Sequence, residues 1–285
     1  MTREAGLRPA GDAVVRSLTE REVAEWRIER GERVVERDGR YWRMSRPGFW
    51  EPVHWLARLP VAFARRPAAG LGFRATLRPE DAASANGWMP AHVLSPVSAW
   101  GLHTLSRNRR HRLRKALRRV DLVELGDQRL LEEEGYAVVV SSLARTGAGD
   151  PPSRDAYART LTRDGIGREL TFFAGLLDGH LAGYIGGWAV DGTAYFQRLH
   201  IHTDALASQV GTALVVAFVE ACQRAGDVEE VVNGLHSREF PELTSYKEAI
   251  GFPVRRYPLR LAMPPGALFA LRRLRPHVAY RLTGE

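Results

Sequence analysis

Cysteine is nearly absent from this chain of 285 residues: Cys222 stands alone, so no disulfide can form within it and a disulfide-stapled scaffold is excluded. Lysine is almost as scarce, with two of the 41 basic residues, Lys115 and Lys247, and arginine making up the rest. No apolar run reaches the roughly 18 residues that suggest a membrane-crossing helix. The start, MTREAGLRPAGD, lacks the apolar centre of a secretory signal, so a cytoplasmic location is expected. Internal repeats and low-complexity segments are missing as well.

What remains is an ordinary globular composition, 45% hydrophobic and 26% charged, with a net charge of +8 and a pI near 10.1. A surface this basic attracts phosphates, nucleic acid or anionic lipid head groups, without specifying a fold. The lysine scarcity singles out both lysines, because lysine can release its proton near neutral pH and arginine cannot.

Residues Leu170 to Gly226 organise the rest. Three strand-length apolar runs are separated by Asp178-Gly179 and Asp191-Gly192, pairs that supply the positive φ of tight hairpin turns, so an antiparallel meander is predicted. A helix follows, with Val210, Leu214, Phe218, Ala221, Cys222 and Ala225 at helical spacing and Gly226 closing it. Cys222 lies on its apolar side and reads as a buried, inert thiol. The loop feeding this helix is a place where backbone amides can face an anion.

Elsewhere, residues 1–20 read as a loosely held lead-in and Arg33 to Met44 as a hairpin around Asp38-Gly39. In the next stretch Phe49, Trp50, Trp55, Leu56, Leu59, Val61 and Phe63 mix with Arg58, Arg65 and Arg66. Packing within a small domain explains such a segment, and a peripheral membrane contact is the alternative. Residues 67–100 show no sustained periodicity, and a boundary is placed near 95, giving a small N-terminal domain over 1–95. Ser106 to Val120 predicts a helix capped by Ser106, with a narrow stripe of Leu105, Leu113, Ala116, Leu117 and Val120. Its other faces carry Arg107, Arg109, Arg110, Arg112, Arg114, Lys115, Arg118 and Arg119, either a solvated face or a nucleic-acid or phosphate-binding surface. A strand at Asp121 to Leu125, helices over Gln128 to Arg145 and Arg154 to Arg163, and a loop at Gly147 to Ser153 come next. After the organising stretch, a strand is predicted at Val228 to Gly234, a helix at Thr244 to Ile250, and a strand at Arg255 to Met263. A basic C-terminal tail over 264–285 contains an amphipathic helix around Ala267 to Leu274.

This order of elements resembles the Gcn5-related N-acetyltransferase (GNAT) superfamily. Two motifs resemble its branch of Fem-type (FemABX) aminoacyltransferases and BioF-like acetyltransferases: the Arg-rich run Leu105 to Val120, and Ser245-Tyr246-Lys247-Glu248-Ala249-Ile250-Gly251-Phe252, with an aromatic-Lys pair four residues before a glycine. The resemblance covers about residues 96–263 and implies an α/β fold with a mixed, mostly antiparallel sheet flanked by helices. Residues 1–95 would stand where Fem-type proteins carry a second, degenerate half. Coenzyme A-binding relatives hold the diphosphate in an Arg/Gln-x-x-Gly-x-Gly/Ala turn. Here Leu206-Ala207-Ser208-Gln209-Val210-Gly211 keeps only the last glycine, so Ser208, Gln209, Val210, Gly211 and Thr212 are the expected donor-binding residues of a degraded turn.

The implied activity is amide formation from an activated acyl donor, which needs a neutral amine, stabilisation of an oxyanion and a proton for the leaving group. Lys247 would supply a cation to the oxyanion, and Tyr246 a proton or a packing surface. On the strand Tyr195 to His202, alternation puts His200, His202 and, if the strand continues, Asp204 on one face with Arg198. These residues suit a general base acting through water, or the lining of a substrate cleft; a third firm ligand for a metal is not evident. Asn233 and His236, with Glu239, are further cleft candidates. Aminoacyl-tRNA is the favoured donor and acyl-CoA the alternative, each a co-substrate rather than a tightly bound cofactor. The expected partners are tRNA and a small-molecule or peptide amine acceptor. From another class, a non-catalytic nucleic-acid or membrane-surface binding module on the same fold is also compatible with these residues.

Overall fold

The computed structural model describes residues 6–147 and 149–285. Residues 1–5 of the expected lead-in, and Ala148 in the expected loop, lie outside the described residues. The chain forms two compact units. One comprises Ser95–Val231 together with the N-terminal residues through Ser17, and the other comprises Leu18–Leu94 together with Val232–Glu285.

In the first unit the strands run in the order Leu7–Pro9, Asp121–Leu125, Thr171–Leu177, His180–Val190 and Thr193–Ile201, each antiparallel to its neighbour. The expected meander is present. Asp178 (φ 50°), Gly179 (79°), Asp191 (45°) and Gly192 (78°) all adopt the left-handed conformation that matches the twist of two-residue hairpins. The long strand carries a bulge between Gly186 and Gly187, where a Cβ on Gly187 would collide with the Phe218 ring. This close approach seats the helix Val210–Ala225 on the sheet, with Leu214, Phe218, Ala221 and Cys222 fully buried. Gly226 ends that helix at φ 80°.

Two expectations for this unit change. The strand stops at Ile201, and His202 instead caps the 3-10 turn Thr203–Ser208, accepting at Nδ1 from the Asp204 N–H at 3.4 Å. Alternation therefore does not extend to His202 or Asp204. The helix expected over Gln128 to Arg145 contains a π-helical turn, Leu131–Gly135, before the α-helix Tyr136–Thr146. A Cβ on Gly135 would strike the Tyr157 hydroxyl, which donates to Leu131 O at 3.2 Å.

The second unit is discontinuous, whereas the sequence reading separated 1–95 from 96–263 and 264–285. Strand Val254–Ala262 pairs antiparallel with Gly87–Leu94 on one side and Gly72–Thr76 on the other, so the C-terminal part folds with the N-terminal one. Phe49–Pro52, Arg40–Arg46 and Val34–Arg37 continue the order, with one parallel pair, Phe49–Pro52 beside Gly72–Thr76. Trp42, Trp50, Leu59, Phe73 and Leu77 form the core here. The aromatic, basic stretch thus turns most of its apolar side chains inward and leaves Phe63 exposed, while Arg65 pairs with Asp38 at 2.8 Å. The tail holds the expected helix Ala267–Leu274 and a second one, Pro276–Thr283, packed on strand Gly87–Leu94.

Candidate active site

The first unit joins two features that are about 90 residues apart in sequence. The helix Arg107–Leu117 is capped by Ser106, whose Oγ accepts from the Arg109 N–H at 3.4 Å, and it buries Leu113 and Ala116. That anchoring turns one face, at the i, i+3 spacing of a helix surface, toward the start of helix Val210–Ala225. Two adjoining cavities result. One, of about 230 Å³, is lined by Arg112, Lys115, Ala116, Arg119, Ala207, Ser208 and Gln209. The other, of about 160 Å³, is lined by Ser106, Asn108, Arg109, Arg112, Leu113, Gln209 and Thr212. Of the basic residues singled out in the sequence, Arg109, Arg112 and Lys115 line this groove, and Arg119 joins them. Arg107, Arg110 and Arg114 do not line it, and Arg110 donates to His103 O at 3.4 Å.

At the helix start Gln209 is held at φ 62°, a conformation that costs a residue with a Cβ on the order of 1 kcal/mol. Ser208 Oγ accepts from the Val210 N–H at 3.2 Å, and the Thr212 N–H bonds to Gln209 O at 3.0 Å. Two of the first three backbone donors are therefore already used. A cation-lined groove with a helix N-terminus at its centre suits a phosphate chain approached mainly by side chains.

His200 and Arg198 also lie in this unit. Arg198 forms an ion pair with the fully buried Asp164, Nη1 to Oδ2 at 2.6 Å. The His200 ring sits 5.4 Å from that of Tyr184, and burial, with Arg198 nearby, pulls its pKa down to about 4, so it is neutral. Its Nδ1 is buried with no hydrogen-bond partner among the described residues.

The second unit holds the other group. Lys247, on helix Pro241–Ala249, points inward and donates from Nζ to the carbonyl of Asn233 at 2.6 Å. Gly234 (φ 75°) follows Asn233, and even a Cβ there would lie 3.8 Å from Nζ. Burial lowers the Lys247 pKa to about 8. Beside it, His92 Nδ1 lies 3.1 Å from Phe252 O, and its ring is 5.6 Å from that of His236. His236 Nδ1 lies 2.5 Å from Tyr280 Oη. Burial pushes His92 down to about 4 and lowers His236 as well, so Lys247 is the cation of the cluster. Lys247, Asn233 and His236 were visible as candidates in the sequence. His92 was missed because it sits in a strand without alternation, and Tyr280 because its helix was not foreseen; Pro276 followed by apolar residues at i, i+3 and i+4 was the available signal.

No family model and no curated protein matches the sequence. Solved structures do match the fold. One is the C-terminal domain (DUF2156) of a protein described as a lysylphosphatidylglycerol synthetase from Agrobacterium fabrum, 13% identical, covering 93% of this chain and 98% of that one at a TM-score of 0.57. Another is L-PGS from Bacillus licheniformis, 12% identical, covering 95% and 99% at 0.55. FemX is 11% identical, covering 92% and 96% at 0.56. The chain therefore shares the fold of these structures, an α/β fold with a mostly antiparallel sheet flanked by helices, as the sequence led one to expect.

Proposed function

We propose that this protein is an acyltransferase that moves an aminoacyl group from aminoacyl-tRNA to an amine acceptor, forming an amide. The observation that carries this reading is the groove that brings Arg109, Arg112, Lys115 and Arg119 against Ser208, Gln209 and Thr212. Four cations beside a helix N-terminus fit a polynucleotide end. The left-handed Gln209, and the two backbone donors already used, fit a coenzyme A diphosphate less well, because that group needs several bare amides at once. The printed names of the lysylphosphatidylglycerol synthetase neighbours support an aminoacyl cargo.

In this reaction Lys247 stabilises the oxyanion that forms as the amine attacks the ester carbonyl, and Tyr246, next to it on the same helix, supplies a proton or a packing surface. His200, which burial keeps neutral, is the proposed base, and His202 caps the turn Thr203–Ser208. Asn233 and His236 position Lys247 and the acceptor. No helix of the described residues is long and apolar enough to cross a membrane. A peripheral membrane contact belongs to the same reading, through the helix Ala267–Leu274, where Phe269 and Leu274 are exposed beside Arg272 and Arg273.

The test is to incubate the purified chain with charged tRNA, acyl-CoA and a panel of amines. Loss of the aminoacyl ester dependent on an amine is expected; consumption of acyl-CoA alone would replace the donor, and inertness toward both would leave a non-catalytic binding module.

A further inference from the structure

A cavity outside the groove and the lysine cluster lies in the second unit. It measures about 670 Å³ and is lined by Arg238, Glu239, Arg272, Pro276, Ala279 and Tyr280, together with His277 and Glu285. Its charges are unevenly matched. Glu239 accepts from Arg281 at 2.7 Å and from Ser237 at 2.8 Å, with His277 Nδ1 3.8 Å away. Glu285 pairs with Arg272 at 2.8 Å. Arg238 instead sits over the Tyr280 ring, with Cζ 4.0 Å from its centroid, and no carboxylate pairs with it among the described residues.

A cation entering the cleft would have to displace an arginine from a carboxylate. An anion finds Arg238 already held in place by the ring and without a counter-ion. The Arg272 pair is half-exposed on both sides, so it is weak enough for a phosphate to share the guanidinium. Part of the lining, Pro276, Ala279 and the Tyr280 ring, is less polar, and Phe269 lies outside it. Ala279 and Tyr280 are buried, and Phe269, 70% exposed, stands one helical turn before Arg272 on the same face. Tyr280 Oη meets His236 Nδ1 at 2.5 Å, and His236 is in ring contact with His92.

We infer that this cleft binds the acidic head, a phosphate or carboxylate, of an amphiphilic acyl acceptor, with Arg238 and Arg272 on the charge and Tyr280 under the adjoining carbon chain. The role as acceptor site rests on the transferase reading above; the binding of an anion does not.

Phenyl phosphate, titrated calorimetrically against the wild type, Arg238→Gln, Arg272→Gln and Arg112→Gln, separates the two. Arg238 and Arg272 are exposed, so folding is retained, and circular dichroism checks it. Affinity is expected to fall about tenfold in Arg238→Gln, as for the loss of one charge-assisted hydrogen bond, and less in Arg272→Gln. In Arg112→Gln this site is unchanged. Unaltered affinity in Arg238→Gln, or a loss confined to Arg112→Gln, overturns the inference.

Sedimentation with phosphatidylglycerol vesicles and with phosphatidylcholine vesicles names the source of the anion. Arg238-dependent binding to the first alone indicates a lipid head group, and Arg238-dependent phenyl phosphate binding with neither vesicle indicates a soluble acceptor. If the cleft binds phosphate normally but no donor is consumed, the transferase reading fails and the cleft stands. If transfer proceeds in Arg238→Gln with an unchanged acceptor KM, the cleft loses its role and the transferase reading stands.

Discussion

Lys247 is one of two lysines among 41 basic residues, and its surroundings separate it from a solvated surface lysine. With Nζ 2.6 Å from Asn233 O and a pKa lowered to about 8 by burial, it is still mainly charged at neutral pH. A cation that stabilises an oxyanion is lost on deprotonation, so transfer should decline as pH rises through about 8. Lys247→Arg should keep part of the rate without that alkaline fall, and Lys247→Ala should lose about 100-fold or more in kcat while still binding tRNA. Rate measurements across pH decide it; an alkaline limb that persists in Lys247→Arg would assign the titration elsewhere.

The same shift has a sign in stability. Below pH 8 the lysine is charged in both folded and unfolded chains, and the burial penalty is present in full. Between about 8 and 10.5 the folded chain sheds its proton first, so stability rises with pH across that window. In Lys247→Met this rise disappears, which denaturant unfolding at pH 8 and pH 10 can measure. Arg198 is a residue of another kind. Its partner Asp164 is fully buried, so Arg198→Met leaves a carboxylate stranded and should cost about 3 kcal/mol or more. Adding Asp164→Asn should recover much of that loss in urea unfolding. If the single variant were neutral, the buried pair would not be holding the helix Arg154–Asp164 to its strand.

Among the elements, the cation-lined groove depends on how closely the helix Val210–Ala225 meets strand Thr171–Leu177. A Cβ on Gly175 would collide with Val210 Cγ2 and crowd Val120, the residue just past the Arg-rich helix. Gly175→Ala should therefore destabilise by about 1–3 kcal/mol and weaken tRNA binding together, because both walls of the groove move. Thermal unfolding and filter binding on the same preparation test this, and a variant with full stability and weakened binding would contradict it.

These elements also mark what could be read in advance. The hairpins were legible because Asp-Gly pairs select one turn geometry, and the helices because their buried faces repeat at 3.6 residues. Strand Gly87–Leu94 was not, since it is buried on nearly every residue and contains Pro90, so no alternation announces it. The π-turn at Leu131–Gly135 meets the Tyr157 hydroxyl, a partner distant in sequence.

For the molecule as a whole, the proposed binding of nucleic acid by a chain of charge +8 should be strongly salt-dependent. If Arg109, Arg112, Lys115 and Arg119 each meet a phosphate of a single-stranded end, log K should fall against log salt with a slope of about −3. Arg109→Gln with Arg112→Gln should reduce that slope by about 1 to 1.5. A slope that the double variant leaves unchanged would place the phosphates elsewhere on the surface.

The meander, its helix, the Arg-rich helix and the lysine motif were determined by the sequence alone, because each depends on turn chemistry or a period within about 20 residues. Tertiary structure decided the rest. It ended the strand at Ile201 and so separated His202 from His200. By pairing strands about 170 residues apart, it folded residues 232–285 with residues 18–94. It also placed His92 and Tyr280 beside His236. Those outcomes depend on burial and pairing between distant segments, for which a local sequence pattern carries no signal.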